Sequence, residues 1–323
     1  MNKNYSRLVH GNKVYEDYFV VNWCFFSICN FSCSYCPTSL HDGKKRGLPI
    51  DVVKNFCSNL IEAKKDKKIF FEFTGGEITY YKNFIPLFEF LKSKGAETGL
   101  ISNGGQDLTF WEKHKHLIDH ICLSFHPEAG DMNHFFEVVK ILNEVTTVHV
   151  NIMMLPSKFD ELLSFSEKIS SEIEGISVAM QALFENMDGK IFSYTPEQKS
   201  ILDNQNLPTG QNIKYHQSPH KKRNVYRGEM KKVYEDGSSE VVVSPELIAK
   251  GENNWLGWQC NIGLENLVIN FDGDVSRGWC GVGGRIGNVQ DTDFKFPTSP
   301  ITCAAQNCYC GFDIMATKQK IST

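Results

Sequence analysis

Cys29, Cys33 and Cys36 fall within eight positions of one another in "SICNFSCSYCP", and thiolates so gathered are soft ligands suited to a metal. Three are one too few to close a tetrahedral zinc site or to ligate every iron of a [4Fe-4S] cluster. A cluster held by three thiolates leaves one iron open, which is what catalysis needs and stapling does not. Five further cysteines gather late in the chain: Cys260 and Cys280 bracket a hairpin, and Cys303, Cys308 and Cys310 follow in "TCAAQNCYCGFD". Two thiolates from a hairpin and two from a later loop can form a four-thiolate site, for zinc or for an iron-sulfur cluster. Cys24, Cys57 and Cys122 stand alone in apolar surroundings and read as small core residues.

The elements that must position these groups are legible as periodicity. From about residue 18 to 182, short apolar runs alternate with amphipathic stretches, the pattern of strands and helices in a parallel sheet or barrel. Strands are predicted at 18–25, 68–73, 98–102, 120–125, 148–155 and 176–183. Between them, "IDVVKNFCSNLIEAKK", "FIPLFEFLKSK", "NHFFEVVKILNEV" and "FDELLSFSEKISSEI" carry apolar residues at helical spacing. The expected fold is α/β, a partial (β/α)6 TIM-like barrel with right-handed crossovers, followed by a small cysteine-rich β-hairpin domain. Residues after each strand then share one rim, where barrel enzymes hold their chemistry.

The expected boundaries are 1–190 for the barrel, 191–255 for a connecting segment and 256–323 for the cysteine-rich domain. The connecting segment contains a hairpin turning at Asp236-Gly237, and its basic stretch 211–235 reads as a solvated face rather than an anion-binding patch.

C-x3-C-x2-C with Tyr35 before the last cysteine, in the loop after strand one, resembles the cluster motif of the radical S-adenosylmethionine (SAM) enzymes. The resemblance implies that the open iron chelates SAM. An electron from the reduced cluster then cleaves SAM to methionine and a 5′-deoxyadenosyl radical, which abstracts hydrogen from a substrate. It also implies a glycine-rich turn after strand two, and "FTGGEIT" supplies Gly75, Gly76 and Glu77 to hold the SAM amino group. "LISNGG" supplies Ser102 and Asn103 for the SAM carboxylate and ribose, against the plain reading of an Asn-Gly turn; "LSFHPE" supplies Ser124. His126 has no role in the pattern, and a lone histidine is more often structural than catalytic. Met153 and Met154 could line the adenine, but strand methionines are core by default. The resemblance covers residues 18 to 183.

The C-terminal cysteines are similar to the Twitch or SPASM extensions of that superfamily, in which they hold auxiliary [4Fe-4S] clusters for electron transfer. One auxiliary cluster is expected, on Cys260, Cys280, Cys310 and Cys308, with Cys303 as the alternative fourth ligand. A structural metal that merely staples a small subdomain is the plainer alternative.

Composition closes off other classes. The chain has 323 residues, 41% hydrophobic and 22% charged, with a net charge of -4, so nothing global points to nucleic acid or membrane. No apolar N-terminal run suggests secretion, and cysteines clustered in a cytoplasmic protein are metal ligands or redox groups before they are disulfides. With 28 residues before Cys29 there is too little for a leader-binding domain, which tilts the expected substrate toward a small molecule, a sugar or nucleotide, over a peptide. An electron donor such as flavodoxin or ferredoxin is the expected partner. A non-catalytic, metal-stapled binding protein is the alternative of another class.

Overall fold

Phe19, Val21, Trp23 and Phe25 recur at every second position and are all at most 1% exposed, the mark of a strand with one face against a helical layer. The computed structural model describes residues 5–185, 189–205 and 229–321. In it, the chain opens with β1 (Tyr5–His10) and continues through β2 (Tyr18–Phe26), β3 (Lys68–Gly75), β4 (Glu97–Ser102), β5 (His120–Phe125), β6 (Thr147–Met153) and β7 (Ser177–Gln181). Strands β2 to β7 pair in parallel and in sequence order. The sheet ends at β7 and stays open, as the partial-barrel expectation requires.

Helices α1 (Ile50–Ala63), α2 (Phe84–Ser93), α3 (Leu108–His114), α4 (Met132–Asn143) and α5 (Phe159–Glu172) fill the crossovers. On α1 the buried residues Val53, Phe56, Cys57 and Leu60 follow helical spacing, and Phe56 meets Trp23 edge-on at 5.9 Å between ring centroids. The short α3 was missed in the periodicity. Its signal is the cap, where the Asp107 carboxylate accepts from the Phe110 N–H at 2.7 Å. No described helix is long and apolar enough to cross a membrane.

After α6 (Pro196–Asn204), residues 211–228 of the basic stretch lie outside the described residues. The hairpin is present as β8 (Met230–Tyr234) and β9 (Ser239–Val242), turning through Gly237 at φ +81°. The remaining elements are α7 (Ser244–Ala249), β10 (Gln259–Cys260), β11 (Asn266–Ile269), β12 (Asp274–Ser276), β13 (Arg285–Asn288), β14 (Ile301–Thr302), α8 (Gly311–Ile314) and β15 (Lys318–Gln319).

Pairing does not respect the expected boundaries. β11 runs parallel to β2, with Asn266 opposite Val20, and brings β12 and β13 into the barrel sheet. β1 leaves the barrel and lies between β15 and β8 in an antiparallel sheet ordered β14-β10-β15-β1-β8-β9. Both ends of the sequence therefore build the second sheet, which packs on its own core around Leu8, Met230, Trp255 and Ile314.

Candidate active site

The strand alternation that buries Phe19 to Phe25 turns the other face of each strand into the barrel. Val148, Val150 and Ile152 of β6 enter the core, while His149, Asn151 and Met153 line the interior cavities. At the mouth, the cysteine loop leaves β2 and is fastened on several sides. The Ser34 N–H and hydroxyl both donate to the Glu128 carboxylate at 2.6 Å. Tyr35 stacks on His126 at 5.8 Å between centroids, its hydroxyl 2.9 Å from His126 Nδ1. Cys33, Tyr35 and Leu183 share a small apolar cluster with Phe31.

Gly75 and Gly76 are set by the close passage of the β3 turn across the end of β2. The Gly76 N–H donates to Phe26 O at 2.5 Å, and the Glu77 N–H to Ile28 O at 2.8 Å. A Cβ on Gly75, whose φ is +133°, would sit 2.2 Å from Phe26 O; one on Gly76 would sit 2.3 Å from Ile28 O.

Glu77 itself is fully buried behind the turns that line the mouth. Its carboxylate accepts from Thr79 Oγ1 at 2.7 Å, from Ser102 Oγ at 3.0 Å and from the Asn103 N–H at 2.7 Å. Burial pushes its carboxyl up, and these donors oppose the shift. It joins the β3 and β4 turns.

These turns enclose an open cavity of about 760 Å³ lined by Cys29, Cys33, Cys36, Gly75, Gly76, Ser102, Asn103 and Ser124, with Met153 and His126. Asn103 Nδ2 reaches toward Cys29 Sγ at 3.6 Å and donates to Asn30 Oδ1 at 2.8 Å. Met154 is core. Burial pushes the Cys33 and Cys36 thiols up to about 11 and raises Cys29 as well, so metal must displace their protons and loading favours higher pH.

His126 is shifted the other way, down to about 4, because its ring is desolvated between Tyr35 and Phe31. A histidine whose folded pKa lies below its unfolded value near 6.5 binds fewer protons folded than unfolded, so stability is lost as pH falls between those two values. Discounted for the ring's partial exposure, the loss is expected to be on the order of 2 kcal/mol. Denaturant melts of the iron-free chain at pH 7 and pH 4.5 should show it, and H126Q should remove most of the difference; an unchanged pH dependence would refute the buried neutral ring.

Below the mouth, and sharing Ile101 with it, lies a second cavity of about 880 Å³ lined by Glu72, His120, Cys122, His149, Asn151 and Trp279. Its polar groups are organised. Asn22 donates to Glu72, the Trp279 indole donates to Asn22 Oδ1 at 3.1 Å, and Asn151 Nδ2 donates to Cys122 Sγ at 3.1 Å. His120 Nε2 meets Glu97 at 3.0 Å while its buried Nδ1 has no hydrogen-bond partner. Cys122, expected in the core, faces this interior instead; Cys57 is core.

The late cysteines divide. Cys260, Cys280, Cys303 and Cys308 line one small cavity with Asp313 and Lys318. Cys310, expected among the ligands, lines the barrel-side cavity beside Trp279 and Phe312, while Cys303, the alternative, stands with the other three. The cause is backbone anchoring. Asn253 grips Cys308, accepting its N–H at 2.9 Å and donating to its carbonyl at 3.0 Å, whereas Cys310 caps α8 and is carried toward β2. Asp313 holds Cys280 by accepting the Trp279 and Cys280 N–H groups at 3.1 and 2.6 Å. Among the described residues, no three His, Cys, Asp or Glu side chains converge closely enough to hold a single ion. Thiols spread around one cavity suit a cluster, in which each binds a different iron. Asp313 and Lys318 carried no signal in the sequence, because nothing local marks a residue whose partner is a distant loop.

Residues 23–167 match the model of the Radical SAM superfamily. Among solved structures, SuiB of Streptococcus suis bound to S-adenosylmethionine is similar at 14% identity and a TM-score of 0.51, over 85% of this chain and 64% of that chain. Native anSMEcpe with bound AdoMet is similar at 16% identity and a TM-score of 0.51, over 85% of this chain and 78% of that one. At such identities the likeness is one of fold, and this chain spans about 64% of the length of SuiB. A comparison with curated proteins gives no match.

Proposed function

We propose that this chain, which carries a radical SAM domain over residues 23–167, is a radical SAM enzyme acting on a small polar molecule held in the barrel interior. The observation that carries the proposal is that the cavity of the three cysteines and the SAM-site candidates borders, at Ile101, a second cavity lined by polar side chains. Cys29, Cys33 and Cys36 would hold a [4Fe-4S] cluster, and Gly75, Gly76, Ser102, Asn103 and Ser124 would line the SAM site. When bound and reductively cleaved, SAM supplies hydrogen abstraction; the protein supplies orientation and excludes water.

Within the lower cavity, the buried His120 Nδ1 and the Glu72 carboxylate face the space as hydrogen-bonding groups for hydroxyl or amino groups of a substrate, and Trp279 and Phe312 cover it from the C-terminal half. Cys260, Cys280, Cys303 and Cys308 would hold an auxiliary cluster with no open iron, suited to passing electrons. A one-electron donor of the flavodoxin or ferredoxin type would reduce the enzyme.

The test is 5′-deoxyadenosine release by anaerobically reconstituted protein given SAM and a strong reductant, alone and with panels of sugars, nucleotides and peptides. Acceleration by a sugar or nucleotide is expected. Acceleration by peptides alone would overturn the small-molecule assignment, and no release from fully iron-loaded protein with any panel would overturn the enzymatic one.

A further inference from the structure

We infer that Lys318 is the counter-charge of the four-thiolate centre and holds its reduction potential up, an inference that rests on the auxiliary-cluster reading above. Lys318 is 4% exposed, stands opposite Cys260 in the β10–β15 register, and lines the same cavity as Cys260, Cys280, Cys303 and Cys308. A lysine is almost never buried without a partner for its charge.

Its ammonium has no carboxylate partner within salt-bridge distance among the described ion pairs. Instead Nζ donates to three backbone carbonyls, Asp313 O at 2.9 Å, Ile314 O at 3.0 Å and Ala316 O at 2.6 Å. Three acceptors use three N–H bonds, and only the protonated amine has three. The Trp255 ring, 4.8 Å from Nζ, closes the other side. The charge is therefore fixed in place in a low-dielectric pocket, where its field on a neighbouring group is strongest.

Four thiolates give a cluster a net negative charge, and reduction adds one electron with no bond made or broken. A fixed positive charge stabilises the reduced form more than the oxidised one, because the reduced form is more negative. Asp313 brings the opposite charge to the same cavity, but its carboxylate is spread over the Trp279 and Cys280 N–H donors. The plainer role for Lys318 is to cap the last carbonyls of α8, and the two roles separate by charge, since arginine keeps the cation and glutamine does not.

The experiment uses the full chain with Cys29, Cys33 and Cys36 all replaced by alanine, reconstituted anaerobically, so that the late cysteines hold the iron. Iron is counted, and the midpoint potential is read by redox titration followed by electron paramagnetic resonance. K318Q is expected to lower the midpoint while K318R stays close to the parent. Loss of iron from K318Q with retention by K318R would equally support the charge. No displacement in either variant, or equal displacement or iron loss in both, would overturn it in favour of a structural cap. C303A and C310A in the same background test the ligand set separately: C303A should lose the cluster and C310A keep it, and the reverse would sink the ligand assignment whatever Lys318 does.

Discussion

Cys33→Ala is expected to bring 5′-deoxyadenosine formation to background, a fall of at least about a hundredfold, the scale on which loss of one member of an interdependent set removes the function of the whole. The physical ground is that Cys29, Cys33 and Cys36 line the mouth cavity together, and a cluster on two thiolates lacks the third anchor that leaves only one iron open. Folding should survive. Cys33 is a small buried residue in a minor apolar cluster, so its truncation costs about 1 kcal/mol. The check is product by chromatography beside a melt of the iron-free chain. Retained turnover would exclude these cysteines as the catalytic ligands.

The second large effect is expected on stability. Gly76→Ala puts a Cβ 2.3 Å from Ile28 O and 2.9 Å from Leu40 O, and both contacts are backbone that cannot rotate away. Gly75→Ala adds a contact at 2.2 Å to Phe26 O at a φ of +133° that side chains rarely adopt. Each change should destabilise the iron-free chain by about 3 kcal/mol or more, seen as a fall of several degrees in Tm. Unchanged stability with lost SAM binding would mean that these glycines serve the ligand and not the crossing of the two turns.

The six barrel strands were legible because each buries one face under helices, and a period of two written in phenylalanine, valine and isoleucine survives any detail of packing. The same logic placed Ser102, Asn103 and Ser124 on one rim, where the cavity finds them. Glu77 shows the limit. Its type and position matched a ligand-binding motif, and only the fold adds that Ser102 and Asn103 also donate to its carboxylate.

Cys303 and Cys310 show another limit: which way a thiol faces in an irregular loop depends on anchors such as Asn253, far away in sequence. The membership of β1 and β11 was hidden for the same reason, since strand pairing at long range leaves no trace in local pattern. "YSRLVH" has no clean alternation, and "NLVI" looks like half of a hairpin until β2 is beside it.

The position of β1 has a consequence for synthesis. It is translated well before both of its neighbours, Met230–Tyr234 and Lys318–Gln319. Until they emerge, β1 is an unpaired strand, and the Val20–Trp23 edge of β2 waits for Asn266–Ile269, so a nascent chain exposes two sticky edges while the barrel strands are being made. The loop of Cys29, Cys33 and Cys36 packs against residues no later than Phe192. Its thiols are therefore brought together before the second group of cysteines has been translated.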